Sequence, residues 1–436
     1  MDATYAIKKY DLGKVALLFL FIIALVLARF IVASRSRLVL SGPIMLEHFG
    51  LSASIPAGNG WRTDKRWKYE ENGFALSSVF IPDSANPTAF AQCRYLLAPP
   101  ETTAIMQFEQ KAAAAGSTIE NTDQIQQDAF TIDWAHIKKR GALLDIFLGT
   151  ARLPGNRRLD IEVHHIAGDM DLAEQVFKSI AQSLKFEDNQ LLQAGSEVVA
   201  EIKNTGLAAF LYGREQQTFF LIKDAKNKPI GFTMDTLIDL GLDAQLNIQA
   251  ETFLYNRSRR SQRLTLFQST DNLDEFIWKS ETITASGKAG TEINLSKDGT
   301  MTVKEFSLQT DEKDYQLSTA AIPEVLFDQL LVQMLASGCE KIIVDIIDAH
   351  GTITPAFVYR EEAEDAAYVF ELQLLDGRGF SEQLYLDSRE QIFKISLWQE
   401  GLYTLERTDA ENILSQFPER ADYILQKSKT LEQNRL

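Results

Sequence analysis

Residues 291–306 read TEINLSKDGTMTVKEF. Two runs of alternating apolar and polar side chains flank Lys297-Asp298-Gly299, and Asp-Gly between such runs is a strong signal for a tight antiparallel turn. The same pattern recurs on either side. Residues 218–223 and 229–235 flank the turn-rich Asp224-Ala225-Lys226-Asn227-Lys228, and strand-like runs follow at 342–347, 357–359, 368–375, 382–386 and 392–398. Short gaps between consecutive strands favour antiparallel pairing, so this half of the chain reads as a β-meander. One helix interrupts it over 322–337, with Pro323 in its first turn and Gly338 just past its end. A final short helix starts near Asp409.

The 322–337 helix is apolar around most of its girth, through Val325, Leu326, Phe327, Leu330, Leu331, Val332, Met334 and Leu335. A surface helix shows a single stripe. This one is expected to plug a curved sheet or to line an apolar ligand cavity. In the second case Phe327, Leu331 and Met334 are the candidate ligand contacts.

The first half mixes strands at 51–55, 74–81, 89–97, 130–138, 143–151 and 159–166 with helices at 101–115 and 169–184, the latter with Asp169 placed as N-cap. Overall the expected class is α+β: an N-terminal transmembrane helix, an antiparallel-sheet domain, then a β half-barrel packed on a helix. The polar, Gly-containing stretch EDNQLLQAGS at 187–196 is expected as a linker. The expected division is a tail at 1–14, an anchor at 15–34, one domain at 44–187, a second at 196–424 and a polar tail at 425–436.

The anchor expectation rests on VALLFLFIIALVLA, residues 15–28, followed by Arg29 and then Phe30-Ile31-Val32-Ala33. Spanning a bilayer takes about 17–25 residues, so Arg29 would snorkel at one interface. The apolar residues contribute about −3 to −7 kcal/mol against about +2.5 to +3.5 for a central Arg. Val15, Leu18, Ile22, Leu25 and Arg29 are the anchor residues named on this basis. The expected location is therefore a single-pass membrane protein with the bulk of the chain outside the cytoplasm. A cleaved signal peptide with a site near Val32-Ala33-Ser34 is the competing reading.

Charge and composition exclude several functions. Of the 436 residues, 60 are acidic and 44 basic, a net charge of −16, which argues against a nucleic-acid partner. Two cysteines, Cys93 and Cys339, exclude a disulfide framework and a four-cysteine zinc site, and neither carries a local nucleophile signature. No phosphate-binding Gly loop, G-x-S-x-G or H-E-x-x-H motif is present. Asp160, Glu162 and His164 share one strand face and have metal-like spacing, yet a solvated polar face explains them more simply. Arg257, Arg259, Arg260 and Arg263 form a basic cluster, read either as a head-group or acidic-partner site or as a charged sheet edge. Glu361, Glu362, Glu364 and Asp365 read as an exposed acidic loop. No catalytic residue, cofactor or metal is expected.

The first domain resembles the PsbP-like family, through LSASIPAGNGW at 51–61, its strand and helix order, and the closing helix DLAEQVFKSIAQSL at 171–184. The second resembles the β-rich region that precedes bacterial transglutaminase-like domains, related in shape to lipoprotein-carrier half-barrels of the LolA type. FFLIKDAKNKPIGFT at 219–233 matches its opening hairpin, and YLDSREQIFKISLWQEGLYTLERTDAE at 385–411 its closing strands. This resemblance implies a curved antiparallel sheet on a helix. The sequence carries no transglutaminase Cys/His/Asp domain, so it implies no catalysis of that type. The expected function is a non-enzymatic binding or accessory module of the bacterial envelope. One alternative is a carrier of an apolar ligand such as lipid; a second is an enzyme of unrecognised type, which a pocket of convergent polar groups with a perturbed titratable residue would indicate.

Overall fold

The computed structural model describes residues 38–433, save 59, 71, 82–87, 101, 139–143, 166–169, 212–216, 240–244, 257–258, 307–310, 363–365 and 398–402, together with residues 21 and 23. The 291–306 hairpin forms as its pattern requires: strands Gly287–Leu295 and Thr300–Phe306 pair antiparallel, with Ile293 opposite Val303. Asp298 accepts from the Thr300 amide at 3.0 Å, and Gly299 takes the positive φ of +85° that closes the turn.

That hairpin belongs to a 15-stranded sheet. At its centre Gln217–Lys223 pairs with Tyr403–Thr408, which joins the first and last strands of the region. One meander runs outward from Pro229–Asp239 through Gln245–Asn256, Arg259–Thr270 and Phe276–Thr284 to Asp311–Gln316. The other runs from Tyr403–Thr408 back to Lys341–Ile347, with Ala321–Pro323 added parallel at the edge. Only residues 317–320 separate the two edge strands. Four residues reach roughly 14 Å, so the edges converge at that corner and the sheet curls on itself.

Helix Phe327–Ser337, preceded by a turn over Glu324–Leu326, packs against helix Gln190–Thr205, and residues 324–329 at its start face the inside of the curl. Leu330, Leu331 and Met334 are completely buried, each worth about 1.5–3 kcal/mol of hydrophobic burial. The outer face of the central strands is covered too. Phe219, Leu221, Phe232, Met234 and Phe253 pack with Ile413, Phe417 and Ile424 of the C-terminal helices. The central sheet is thus sealed outside, and its inner face is left to line a cavity.

In residues 44–186 an eight-stranded antiparallel sheet carries a helix on each face. Helix Met170–Ser183 buries Val176, Phe177 and Ile180 against one side; helix Ala104–Ala114 buries Phe108 and Ala112 against Ile137 and Leu148 on the other.

Three expectations are corrected. The class is mainly β with large antiparallel sheets rather than α+β with a transmembrane helix. Among the described residues no helix is long and apolar enough to cross a membrane. Val15, Leu18, Ile22, Leu25 and Arg29 lie outside the described residues, and the membrane partner and single-pass location drawn from them are withdrawn. Finally, the stretch expected as a linker is the start of helix Gln190–Thr205, capped by Asn189. Gly195 marks close packing there: a Cβ would stand 2.0 Å from the Ile343 carbonyl oxygen.

Contacts between the two sheets are extensive. The Arg157 guanidinium donates to Asp345 at 2.7 Å and to the Tyr95 hydroxyl at 3.0 Å, and Ser318 donates to the same Asp345 carboxylate. Both charged side chains are buried, at 4% and 0% exposure. Around them Asn72 accepts from the Ile353 amide at 2.9 Å, and the Gln316 amide donates to the Pro99 carbonyl at 2.8 Å.

Candidate functional site: the half-barrel cavity

Period-two alternation decides which side chains meet inside the curl. Register puts Thr218, Asp235, Ala250 and Thr265 in one row across four strands. Arg407, Phe220, Thr233, Thr252 and Arg263 form the next row. Leu237, Ile248, Phe267 and Trp278 form a third. The opposite wall supplies Thr354, Leu372, Leu374, Glu382, Leu384, Ile392 and Ile395, and the 324–329 segment closes one side with Glu324, Val325, Phe327, Asp328 and Gln329. They enclose about 640 Å³, within the range of small-molecule sites.

The lining is divided in character. Phe220, Leu237, Ile248, Trp278, Phe327, Leu372 and Ile395 are apolar; Asp235, Arg263, Glu324, Glu382 and Arg407 are charged. Burial pushes the Asp235 carboxyl up to about 6; the Thr233 hydroxyl, donating at 2.9 Å, opposes the rise and the charge of Asp328 adds to it. Burial, with the charge of Glu324, pushes Glu382 up to about 7. Glu324 is raised by burial, against the opposing charge of Arg263. Two buried polar atoms of the lining have no hydrogen-bond partner among the described residues: the indole Nε1 of Trp278 and the amide Oε1 of Gln329. Both residues are only 3% exposed, and leaving such groups unpaired is costly.

Of the three ligand contacts expected from sequence, Phe327 lines this cavity, whereas Leu331 and Met334 are buried in the core and are absent from its lining. Arg263 is not on a sheet edge. Its strand lies between Gln245–Asn256 and Phe276–Thr284, and the side chain joins the cavity wall. Arg257 lies outside the described residues, and so do Glu364 and Asp365. Glu361, expected in a loop, ends strand Ile353–Glu361, where burial and the neighbouring Glu371 raise its carboxyl. The carboxyl pair Glu324 and Glu382 escaped sequence reading because the two are far apart in the chain and neither belongs to a motif. The one available signal was Glu382 at an inward position of an alternating strand.

Asp160, Glu162 and His164 do share a face, but no group of metal-ligating side chains occurs among the described residues. Glu162 instead takes hydrogen bonds from His164 and, at 3.1 Å, from Lys111. Burial opposes the Glu162 charge, yet those partners outweigh it and hold the carboxyl at about 2. Cys93 and Cys339 are both free thiols, and burial pushes Cys93 up to about 12. Under native conditions alkylation is expected to modify Cys339 alone, with Cys93 reacting only after denaturation; peptide mass mapping checks this.

No family model matches the chain, and no curated protein matches it in sequence. Among solved structures it is similar to a β-barrel-like protein of the domain of unknown function DUF1849 from Brucella abortus. The identity is 10% and the TM-score 0.35, over 44% of this chain and 95% of that one. A tail fiber of Staphylococcus aureus phage P68 is similar at 9% identity and a TM-score of 0.13, over 80% of this chain and 70% of that one.

Proposed function

We propose that this chain is a non-enzymatic binding module whose half-barrel holds an amphipathic small molecule. The observation that carries the reading is the cavity itself: apolar walls interleaved with charged side chains, Glu324 lying within electrostatic reach of Arg263 and Glu382, with Trp278 and Gln329 presenting unpaired polar atoms. An apolar body would rest against Phe220, Ile248 and Phe327, and a polar head would reach Arg263, Glu324 and Glu382. A lipid-like ligand suits this division. Residues 44–187, with their PsbP-like order of elements, would serve as an accessory module to the half-barrel at 196–424.

A fluorescent fatty-acid probe tests the reading. Trp278 lines the cavity, so bound probe should accept energy transfer from it, and Trp278→Phe should reduce that signal. Phe327→Ala should weaken probe binding by about tenfold or more while leaving the helix packed, since Leu330, Leu331 and Met334 keep its core contacts. Absence of saturable binding by the wild-type chain would sink the lipid-like ligand.

One observation favours a second reading. Glu382, at about 7 and within electrostatic reach of Glu324, has the character of a general acid in a cavity. Turnover of chromogenic ester or glycoside substrates that is lost in Glu382→Gln would favour an enzyme over a binding module.

A further inference from the structure

A second cleft, of about 470 Å³, opens between helix Ala104–Ala114, the outer face of strand Arg157–His165, and the edge strand Asp311–Gln316 of the half-barrel. Among the described residues four cationic side chains line it, Arg94, Lys111, Arg158 and Lys313, against the two carboxylates of Asp160 and Glu162, and Lys111 and Lys313 are already partnered.

The carboxylates are already engaged. Asp160 accepts from Thr150 at 2.8 Å, from Gln107 at 3.1 Å and from Nη2 of Arg158 at 3.0 Å, with Nε of Arg158 also 3.0 Å away. Glu162 is held by Lys111 and His164. What remains is donor capacity. The Arg158 side chain is only 8% exposed, and its Nη1 has no partner among the described residues. A guanidinium whose side edge is taken by one carboxylate offers its end to another oxyanion. Two more buried atoms of the same cleft are also unpartnered, the Thr102 hydroxyl and Oε1 of Gln107. An amide oxygen can only accept, so a matching ligand carries a hydroxyl donor as well as an anionic group.

We infer that this cleft is a second ligand site, for a small hydroxylated anion bearing a carboxylate or a phosphate, held between the two sheets. Arg158 supplies the end-on fork, Arg94 a second charge, and Thr102 and Gln107 receive the hydroxyl. Because Lys313 and Tyr315 come from the half-barrel, bound anion would touch both halves of the chain.

Calorimetric titration of the full chain with inorganic phosphate, and separately with glycolate, tests this at ionic strength matched with sodium chloride. Saturable binding of either probe is expected, and the arm that binds identifies phosphate or hydroxycarboxylate chemistry. Arg94→Gln should weaken it about tenfold with no change in melting temperature, as expected for loss of one charge-assisted contact. Arg158→Gln should abolish it, but this variant also strands Asp160, so Arg94→Gln carries the test. Lys226→Gln, in the distant 224–228 turn, should bind like the wild type. If neither probe binds saturably, or if Arg94→Gln binds as tightly as the wild type, the inference is wrong.

Discussion

Arg157→Ala is expected to destabilise the folded chain by about 3–5 kcal/mol, because it leaves the fully buried Asp345 carboxylate without its counter-charge. Burial alone would disfavour the guanidinium charge, but Asp345 outweighs it and keeps Arg157 protonated. After the substitution, among the described residues only the Ser318 hydroxyl would still donate to the Asp345 carboxylate. Tyr95 would also lose the Arg157 hydrogen bond at its hydroxyl. The ion pair joins the sheet of residues 44–186 to the half-barrel, and a single buried hydrophobic cluster spans both. Unfolding should therefore remain one cooperative step with a lowered urea midpoint. Arg157→Met combined with Asp345→Leu should recover much of the loss, since replacing a whole buried pair by apolar groups is often close to neutral. A loss below about 1 kcal/mol for Arg157→Ala would mean that the pair is hydrated and the two halves are only loosely joined.

The second large effect is a fall in stability as pH rises through the range in which the cavity carboxyls ionise. Asp235 moves from 3.8 unfolded to about 6 folded, and Glu382 from 4.5 to about 7. Between those limits the folded state holds more protons than the unfolded state, so stability drops with rising pH and levels off above about pH 7. Each group contributes on the order of 3 kcal/mol to that drop. Glu162 acts in the opposite sense. Its folded value lies below the unfolded 4.5, so its contribution is lost as pH falls toward about 2. Maximum stability is thus expected near about pH 4–5. Glu382→Gln should flatten the neutral limb and stabilise the chain at about pH 8 while changing little at about pH 4. Urea denaturation at the two pH values measures this; an unchanged slope in the variant would show that Glu382 is not confined as described.

The meander was readable because its turns announce themselves. Asp298-Gly299 and the Asp224 turn set two hairpins, and both formed where their residues place them. Strands Gln245–Asn256 and Arg259–Thr270 were missed for a physical reason: their inward positions include Thr252, Arg263 and Thr265, so the apolar alternation that marks a strand is blunted where it faces the cavity. Strand Thr118–Gln126 is polar on nearly every residue because it is an exposed sheet edge. In helix Gln190–Thr205 the composition misled. Gly195 looked like a linker residue, whereas it is small because the Ile343 backbone passes against it. At the site, Phe327 could be found from the excess apolar girth of its helix. Glu324 and Glu382 could not, since only the closing of the sheet brings them together.

The most direct measurement is native mass spectrometry of the full chain purified from cells without detergent. A bound amphipathic molecule should appear as a discrete mass increment that solvent denaturation releases, and Phe327→Ala should lower its occupancy while leaving the charge-state distribution of the folded chain unchanged. A wild-type chain that carries no increment, and still takes up none after incubation with fatty acids or lysophospholipids, would contradict a half-barrel built to hold such a ligand.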